Sequence, residues 1–390
     1  MVAFVDDNNP YIADVLGKLP QISKINTYKG RELNNQDLIS NNCELLFARS
    51  TTQIDESLLK GTKVHYVATV TSGIDHLDTN YLYENDIYFA SALGSNANGV
   101  AEFVLFSVFD WLISNNIDIT HLSNYKKLKI GIIGFGNVGK KVGFYLHKLG
   151  CEIYVNDPIL KEVNYQFPNY VTYLELDDIL KHCDIITNHV PLTNKDESKY
   201  PTFNLLNKSN LNLLKQNNCF IHSSRGGVVN EDDILEISKN KDISLYFDVW
   251  ENEPSINSNL KDVCKIATPH IAGHTINSKL NGVKMILRNF DRYLEQKEII
   301  NPYQTKSYEI LERLISANDK MPQEFNFSEM NFELKLTRDK IYNIYHSLQK
   351  NRNFEEITKN VKQNSNLDVY TNINFDQIRK DYKSIESICF

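Results

Sequence analysis

Three residues in the second half of the chain carry side chains suited to acid–base work on an anion, and each follows a run that reads as a strand. Arg225 stands in FIHSSRGGVVNEDDIL, Glu253 in YFDVWENEP and His270 in IATPHIAGHT. An imidazole can take or give a proton near neutral pH. A carboxylate beside it fixes its tautomer and stabilises its protonated form. A guanidinium offers a carboxylate two parallel hydrogen bonds, which a lysine cannot match. Taken singly, each residue has a plainer reading: a surface ion-pair partner, a solvated loop glutamate and a satisfied loop histidine, because ionisable side chains are mostly exposed. Together, each just past the C-terminus of a strand, they fall where open α/β sheets bind ligands.

A second pattern lies upstream. In KLKIGIIGFGNVGKKVGFYLHKLG, Gly134, Gly136 and Gly139 follow an apolar strand and open a helical pattern. Gly134 permits a tight turn, Gly136 leaves no side chain between backbone and a pyrophosphate, and Gly139 lets the helix pack close to the strand. The helix N-terminus, from Asn137-Val138, faces the phosphate charge. Asp157 ends the next strand, EIYVNDP, eighteen residues beyond Gly139. A carboxylate there accepts hydrogen bonds from ribose hydroxyls and repels a 2′-phosphate, so the pattern calls for NAD. The plainer reading of Asp157 is a turn former before Pro158.

Elements must carry these residues to one place. The runs Ile130–Ile133, Ile153–Val155, Ile185–Thr187, Phe220–His222 and Leu245–Phe247 read as strands, with helices near 137–149, 204–216 and 230–239 between them. Five strands at that spacing suit a doubly wound sheet. The first hundred residues show a separate βα alternation over Val2–Val5, Cys43–Ala48, Val64–Thr69 and Ile87–Ala90. Residues 99–113 are apolar on nearly every face and predict a buried helix, packed between domains or subunits and too short to span a bilayer. Residues 278–296 predict one long helix returning the chain to the first domain. After Asn301-Pro302 the composition shifts, and 303–390 read as a separate small module.

The 390 residues allow two or three domains, and the formal charge of −7 argues against binding nucleic acid through bulk charge. An acidic protein with an anionic substrate needs a locally positive site. The six cysteines are scattered without a metal-like or CxxC spacing, so buried reduced thiols are expected and no metal. The N-terminus lacks the basic and apolar regions of a signal peptide, and no run approaches the roughly 18–20 apolar residues of a membrane span. A cytoplasmic protein is expected.

These motifs resemble those of the D-isomer-specific 2-hydroxyacid dehydrogenases. The resemblance implies an α/β protein. It would have a Rossmann-type doubly wound parallel sheet domain over 96–275 and a flavodoxin-like α/β substrate domain over 1–95, completed by a helix at 276–298. A small C-terminal α+β dimerisation module over 301–390 would form a homodimer. Arg225 would grip the substrate carboxylate and 2-oxygen, His270 would be the acid/base, and Glu253, directly before the proline, would orient it. Cofactor contacts would come from Gly134, Gly136, Asn137, Val138, Gly139, Asp157, Val190, Ser223, Ser224, Arg225, Asp248 and Gly273.

The segments VDDNNPY, FARS, VTSGIDHLD and LGSNANGVAE extend the likeness to a subgroup acting on a phosphorylated small-molecule hydroxy acid. Ser50 and Thr71 match its substrate positions, although turn and capping chemistry is their plainer reading. Arg49 can supply positive charge, and Gly73 can turn backbone N–H groups to an anion. His274 stands where the subgroup has a tyrosine, and Val190 where threonine is usual. FDQIRKDY at 375–382 resembles part of the dimerisation module. Two other readings remain open: a general dehydrogenase of lactate, glycerate or glyoxylate-type acids, and a non-catalytic NAD-sensing co-regulator.

Overall fold

A computed structural model describes residues 1–117, 128–300, 306–316 and 338–363. These residues divide into two compact units. One is drawn from residues 1–96, 276–300 and 306–316, the other from 97–117, 128–275 and 338–363.

The first unit holds five parallel strands: β1 (Val2–Asp6), β2 (Lys24–Tyr28), β3 (Leu45–Ala48), β4 (Tyr66–Thr69) and β5 (Tyr88–Ser91), in the order β2-β1-β3-β4-β5. This is the flavodoxin-like order. β3 and β4 are buried on both faces, as continuous apolar runs in a parallel sheet must be. One face packs on the helix Ile276–Gln296, where Phe47, Tyr66, Phe290 and Tyr293 form an aromatic cluster. Gly282 permits that packing: a Cβ there would stand 2.6 Å from the Val70 carbonyl oxygen. The helix Ser307–Ser316 adds to this core, its first N–H donating to Asp291 Oδ1 at 2.8 Å.

The second unit holds seven parallel strands: β6 (Lys129–Ile133), β7 (Glu152–Asn156), β8 (Val171–Tyr173), β9 (Ile185–Asn188), β10 (Cys219–His222), β11 (Ser244–Phe247) and β12 (Ile266–Ala267). Their order, β12-β11-β10-β9-β6-β7-β8, is doubly wound about β6. It therefore opens a crevice at the C-terminal end of β6, where the winding reverses.

Several expectations change. β2 and β8 escaped the strand runs because these edge strands carry few buried apolar side chains to mark them, whereas β12 is the strand read directly before His270. The helix expected at 204–216 is only Lys208–Leu211, capped by Asn207, in an asparagine-rich stretch that competes with helical hydrogen bonding. The helix expected at 99–113 runs Ala97–Ser114, long and apolar enough to span a membrane by length and composition, yet 78% of it is buried. Helices Arg338–Arg352 and Phe354–Gln363 cover it: Phe103 meets Phe354 edge-on at 5.2 Å, and Phe106 stacks on Tyr345 at 5.7 Å. The described residues after 300 also do not form one separate module, since 306–316 join the first unit and 338–363 the second. The likeness at 375–382 lies outside the described residues.

Candidate active site

Every residue expected at the cofactor or the chemistry of the second unit lies at or just beyond the C-terminal edge of its sheet. Gly134 follows β6 with φ +87°, a left-handed conformation that glycine adopts without penalty. A Cβ there would also crowd Val190 Cγ1 at 2.8 Å and the His189 carbonyl at 3.0 Å. At Gly139 a Cβ would stand 2.2 Å from the Gly134 carbonyl oxygen. At Gly136 a Cβ would meet nothing within 4 Å. Gly136 caps the twelve-residue helix Asn137–Lys148 without a side-chain hydrogen bond. The N–H groups of its first turn, at Asn137 and Val138, thus open onto space a pyrophosphate fits.

Asp157 does more than expected. Its Oδ2 accepts from Phe135 N–H at 2.9 Å, tying the glycine turn to β7, and its Oδ1 caps the next helix through Leu160 N–H at 3.0 Å. These two contacts are the turn reading of Asp157, and each carboxylate oxygen keeps a second lone pair. At the ends of β9 and β10, Asn188 Nδ2, His189 Nδ1 and Ser223 Oγ are buried without a hydrogen-bond partner. Unpaired buried polar atoms are costly, and here they fit a polar group brought by a cofactor. Ser224 Oγ donates to Asn188 Oδ1. Burial lowers the pKa of both His189 and His222 to about 3, so both are neutral.

Trp250 draws the three catalytic candidates together. Its backbone carbonyl packs on the residue after Arg225, so closely that a Cβ on Gly226 would overlap it at 1.9 Å. Its N–H donates to Glu253 Oε1 at 3.0 Å, and its indole N–H donates to the Thr268 carbonyl at 3.0 Å. Glu253 Oε2 then stands 2.9 Å from His270 Nδ1. A carboxylate only accepts, so Nδ1 carries the proton and Nε2 presents its lone pair as a base. Arg225 Nη1 donates to the Ser224 carbonyl at 2.9 Å. Trp250 is thus a hub.

Asp248 was expected at the cofactor. Instead it is 1% exposed, and its carboxylate is closed into the histidine loop. It accepts from Thr268 Oγ1 (2.6 Å), Ile271 N–H (2.8 Å) and Ala272 N–H (3.0 Å). Buried groups with three donors are spent on structure, so Asp248 shapes the loop that carries His270. Gly273 and His274 follow in that loop, both partly exposed, with His274 N–H donating to the Ile271 carbonyl at 2.9 Å.

In the first unit, Arg49 follows β3 and lies 3.8 Å from the buried Asp6 carboxylate, while Ser50 beside it is exposed. Thr71 Oγ1 meets Thr69 Oγ1 at 2.7 Å and donates to the Gly73 carbonyl at 3.2 Å. His76 Nε2 lies 3.0 Å from Thr69 Oγ1, and burial lowers its pKa to about 4. Lys279, in the first turn of Ile276–Gln296, was not anticipated. Burial lowers its pKa and the charge of Arg49 lowers it further, so this unit gathers two cations in one field. A lysine in a first turn opposes the helix dipole, and that was the available sign.

A family model described as "D-isomer specific 2-hydroxyacid dehydrogenase, NAD binding domain" matches residues 109–272. The chain belongs to the D-isomer-specific 2-hydroxyacid dehydrogenase family, and its second unit carries that family's NAD-binding domain. Among its relatives, the erythronate-4-phosphate dehydrogenase of Wigglesworthia glossinidia brevipalpis is 35% identical over 306 residues, 76% of each chain. That of Hydrogenovibrio crunogenus is 35% identical over 286 residues, 73% of this chain and 70% of the relative. Among solved structures, a glyoxylate reductase from Paecilomyes thermophila gives a TM-score of 0.61 at 19% identity, covering 75% of this chain and 95% of that one. The D-lactate dehydrogenase of Aquifex aeolicus with NAD and lactic acid gives 0.54 at 20% identity, covering 76% and 96%.

Proposed function

We propose that the protein oxidises 4-phospho-D-erythronate to 2-oxo-3-hydroxy-4-phosphobutanoate with NAD, in the cytoplasm, as a step toward pyridoxal 5′-phosphate. The observation that carries the chemistry is the 2.9 Å contact between His270 Nδ1 and Glu253 Oε2, on the same strand edge as the glycine turn. Gly134, Gly136, Asn137, Val138, Gly139 and Asp157 would hold NAD, which would supply the acceptor for the hydride that leaves C2. His270 Nε2 takes the C2 hydroxyl proton as that hydride leaves, and Glu253 stabilises the imidazolium through Nδ1. Arg225 pairs with the substrate carboxylate and steadies the charge that builds on the 2-oxygen. Val190 bounds the glycine turn, while Ser223, Ser224 and Gly273 line the cofactor side.

The substrate follows from the relatives' names and from the charge of the first unit. Arg49, with Lys279 in its field, offers an otherwise acidic protein the positive charge that a doubly anionic acid needs. Ser50, Thr71, Gly73 and His274 complete the substrate contacts. The test is a steady-state comparison of 4-phospho-D-erythronate with D-erythronate, each with NAD and with NADP. A kcat/KM at least about 100-fold higher for the phosphorylated acid is expected, since a lost charge-assisted pair is worth roughly 3 kcal/mol. Equal rates would reduce the reading to a general 2-hydroxyacid dehydrogenase. Absence of NADH formation with every acid would favour a co-regulator. The same reading carries a homodimer through the likeness at 375–382, and a monomer by light scattering at micromolar concentration would contradict it.

A further inference from the structure

We infer that Arg352 is a positioning residue for the catalytic histidine, tying the C-terminal helices of the second unit to the chemistry. Its side chain is 0% exposed, at the junction of helices Arg338–Arg352 and Phe354–Gln363. Nη2 donates to the carbonyls of Ala272 (2.6 Å) and Ile271 (3.3 Å). Nη1 donates to Glu102 Oε2 (2.6 Å) and to the Gly99 carbonyl (3.4 Å), and the guanidinium lies 4.9 Å from the Phe354 ring centroid.

The loop just past His270 is therefore gripped from two sides. Asp248 takes the N–H groups of Ile271 and Ala272, and Arg352 takes their carbonyls. The Ile271–Ala272 peptide is thus strung between a buried guanidinium at its carbonyl and a buried carboxylate at its N–H, each end meeting the charge it favours, and the two flanking peptides are each held at one end. Glu102, in the helix Ala97–Ser114, balances the cation. The helix Phe354–Gln363 also holds β12 and the residues leading into it: Thr358 Oγ1 accepts from Ala267 N–H at 3.1 Å, and Lys362 Nζ donates to the Cys264 carbonyl at 2.6 Å. His270 has φ +55°, and a residue kept in a sparsely populated conformation depends on its flanks being held. Arg352 acts on the reaction only through that loop.

The inference rests on His270 being the acid/base, which His270→Asn tests separately: if that variant keeps full turnover, the function reading fails whatever Arg352 does. For Arg352, the variants are Arg352→Met, Arg352→Lys and the double variant Glu102→Gln with Arg352→Met. Active sites are counted by NADH fluorescence titration, so that misfolded protein is excluded. Expected in Arg352→Met is a kcat per NADH-binding site reduced about 10- to 100-fold, with KM for NAD within about twofold. The pH–rate profile should also change shape, because Glu253 no longer meets the imidazole squarely; mere loss of folded protein would only scale it. Arg352→Lys, with one compact charge and no fork, should fall between. The double variant removes the charge pair without stranding Glu102 and carries the test if Arg352→Met fails to fold. It should remain slow. Wild-type kcat and an unaltered pH profile, in either Arg352→Met or the double variant, would overturn the assignment.

Discussion

His270 sits at φ +55°, a left-handed backbone that costs a non-glycine residue roughly 1–2 kcal/mol and that asparagine tolerates better than most. The substitution that separates chemistry from conformation is therefore His270→Asn, which keeps the loop and removes the base. Turnover should fall by about 10²–10⁴-fold, the usual worth of a general acid–base group, while NADH binding and Tm stay near wild type. A large fall in Tm would mean that the imidazole is structural. The direction of reaction fixes a second outcome. Oxidation needs the neutral imidazole and reduction needs the imidazolium, so kcat for oxidation should rise with pH where kcat for reduction falls. Parallel pH profiles in the two directions would exclude His270 as the shared acid/base.

Two carboxylates beyond the strand ends have roles coupled to the elements around them. Asp157 holds the glycine turn and caps a helix, and the proposed function gives it the ribose of NAD as well. Asp157→Ser keeps a capping oxygen but loses the charge that repels a 2′-phosphate. The ratio of kcat/KM for NAD over NADP should drop at least about tenfold, with a stability loss of around 1 kcal/mol. An unchanged ratio would leave Asp157 as a turn residue only. Glu231, in the helix Glu231–Lys241, accepts from Glu251 N–H at 2.7 Å and so anchors the loop bearing Glu253. Burial, with the charges of Glu251, Asp232 and Glu253 adding, lifts its pKa from 4.5 to about 7. The folded state then binds this proton more tightly than the unfolded state. Its contribution is full below the ordinary value, declines as pH rises to about 7, and is flat beyond. Glu231→Gln mimics the protonated form. Its stability advantage over wild type, read by denaturant unfolding, should grow between about pH 5 and pH 8, on the order of 2 kcal/mol. A constant difference across that range would refute the buried-carboxyl account. Sequence showed Gly134, Gly136, Gly139, Arg225, Glu253 and His270 because their spacing along the chain is local and their chemistry is uncommon. It did not show Asp248 closing on residues 268–272, nor Lys279 in the field of Arg49, because those contacts depend on tertiary packing. The edge strands β2 and β8 were hidden for a related reason: half-exposed residues carry no periodic apolar signal.

At the scale of the whole chain, the segment 338–363 is the least legible part of the sequence and the most consequential for the second unit. Its amphipathic helices look like an appendage, yet they supply the cover for Ala97–Ser114, whose side chains are apolar on nearly every face. Phe103 and Phe106 are 0% exposed beneath Tyr345 and Phe354, and full burial of such rings is worth about 1.5–3 kcal/mol each. Arg352 is also the counter-ion of Glu102, whose pKa burial raises and the guanidinium lowers. Removing one member of a buried ion pair strands the other at a cost of roughly 3–5 kcal/mol. Ending the chain after residue 337 would therefore cost about as much as a typical domain's whole stability margin. The truncated protein should lose cooperative thermal unfolding, bind a hydrophobic dye and fail to bind NADH, although every residue assigned to cofactor and chemistry is still present. A truncation that keeps a sharp transition and wild-type NADH affinity would show instead that these helices only decorate the unit. Single substitutions discriminate further: Phe354→Ala should destabilise by about 3–5 kcal/mol through the cavity it leaves, with a smaller effect on kcat per NADH-binding site than Arg352→Met. The ring fills space beside the helix, whereas the guanidinium reaches the loop that carries His270.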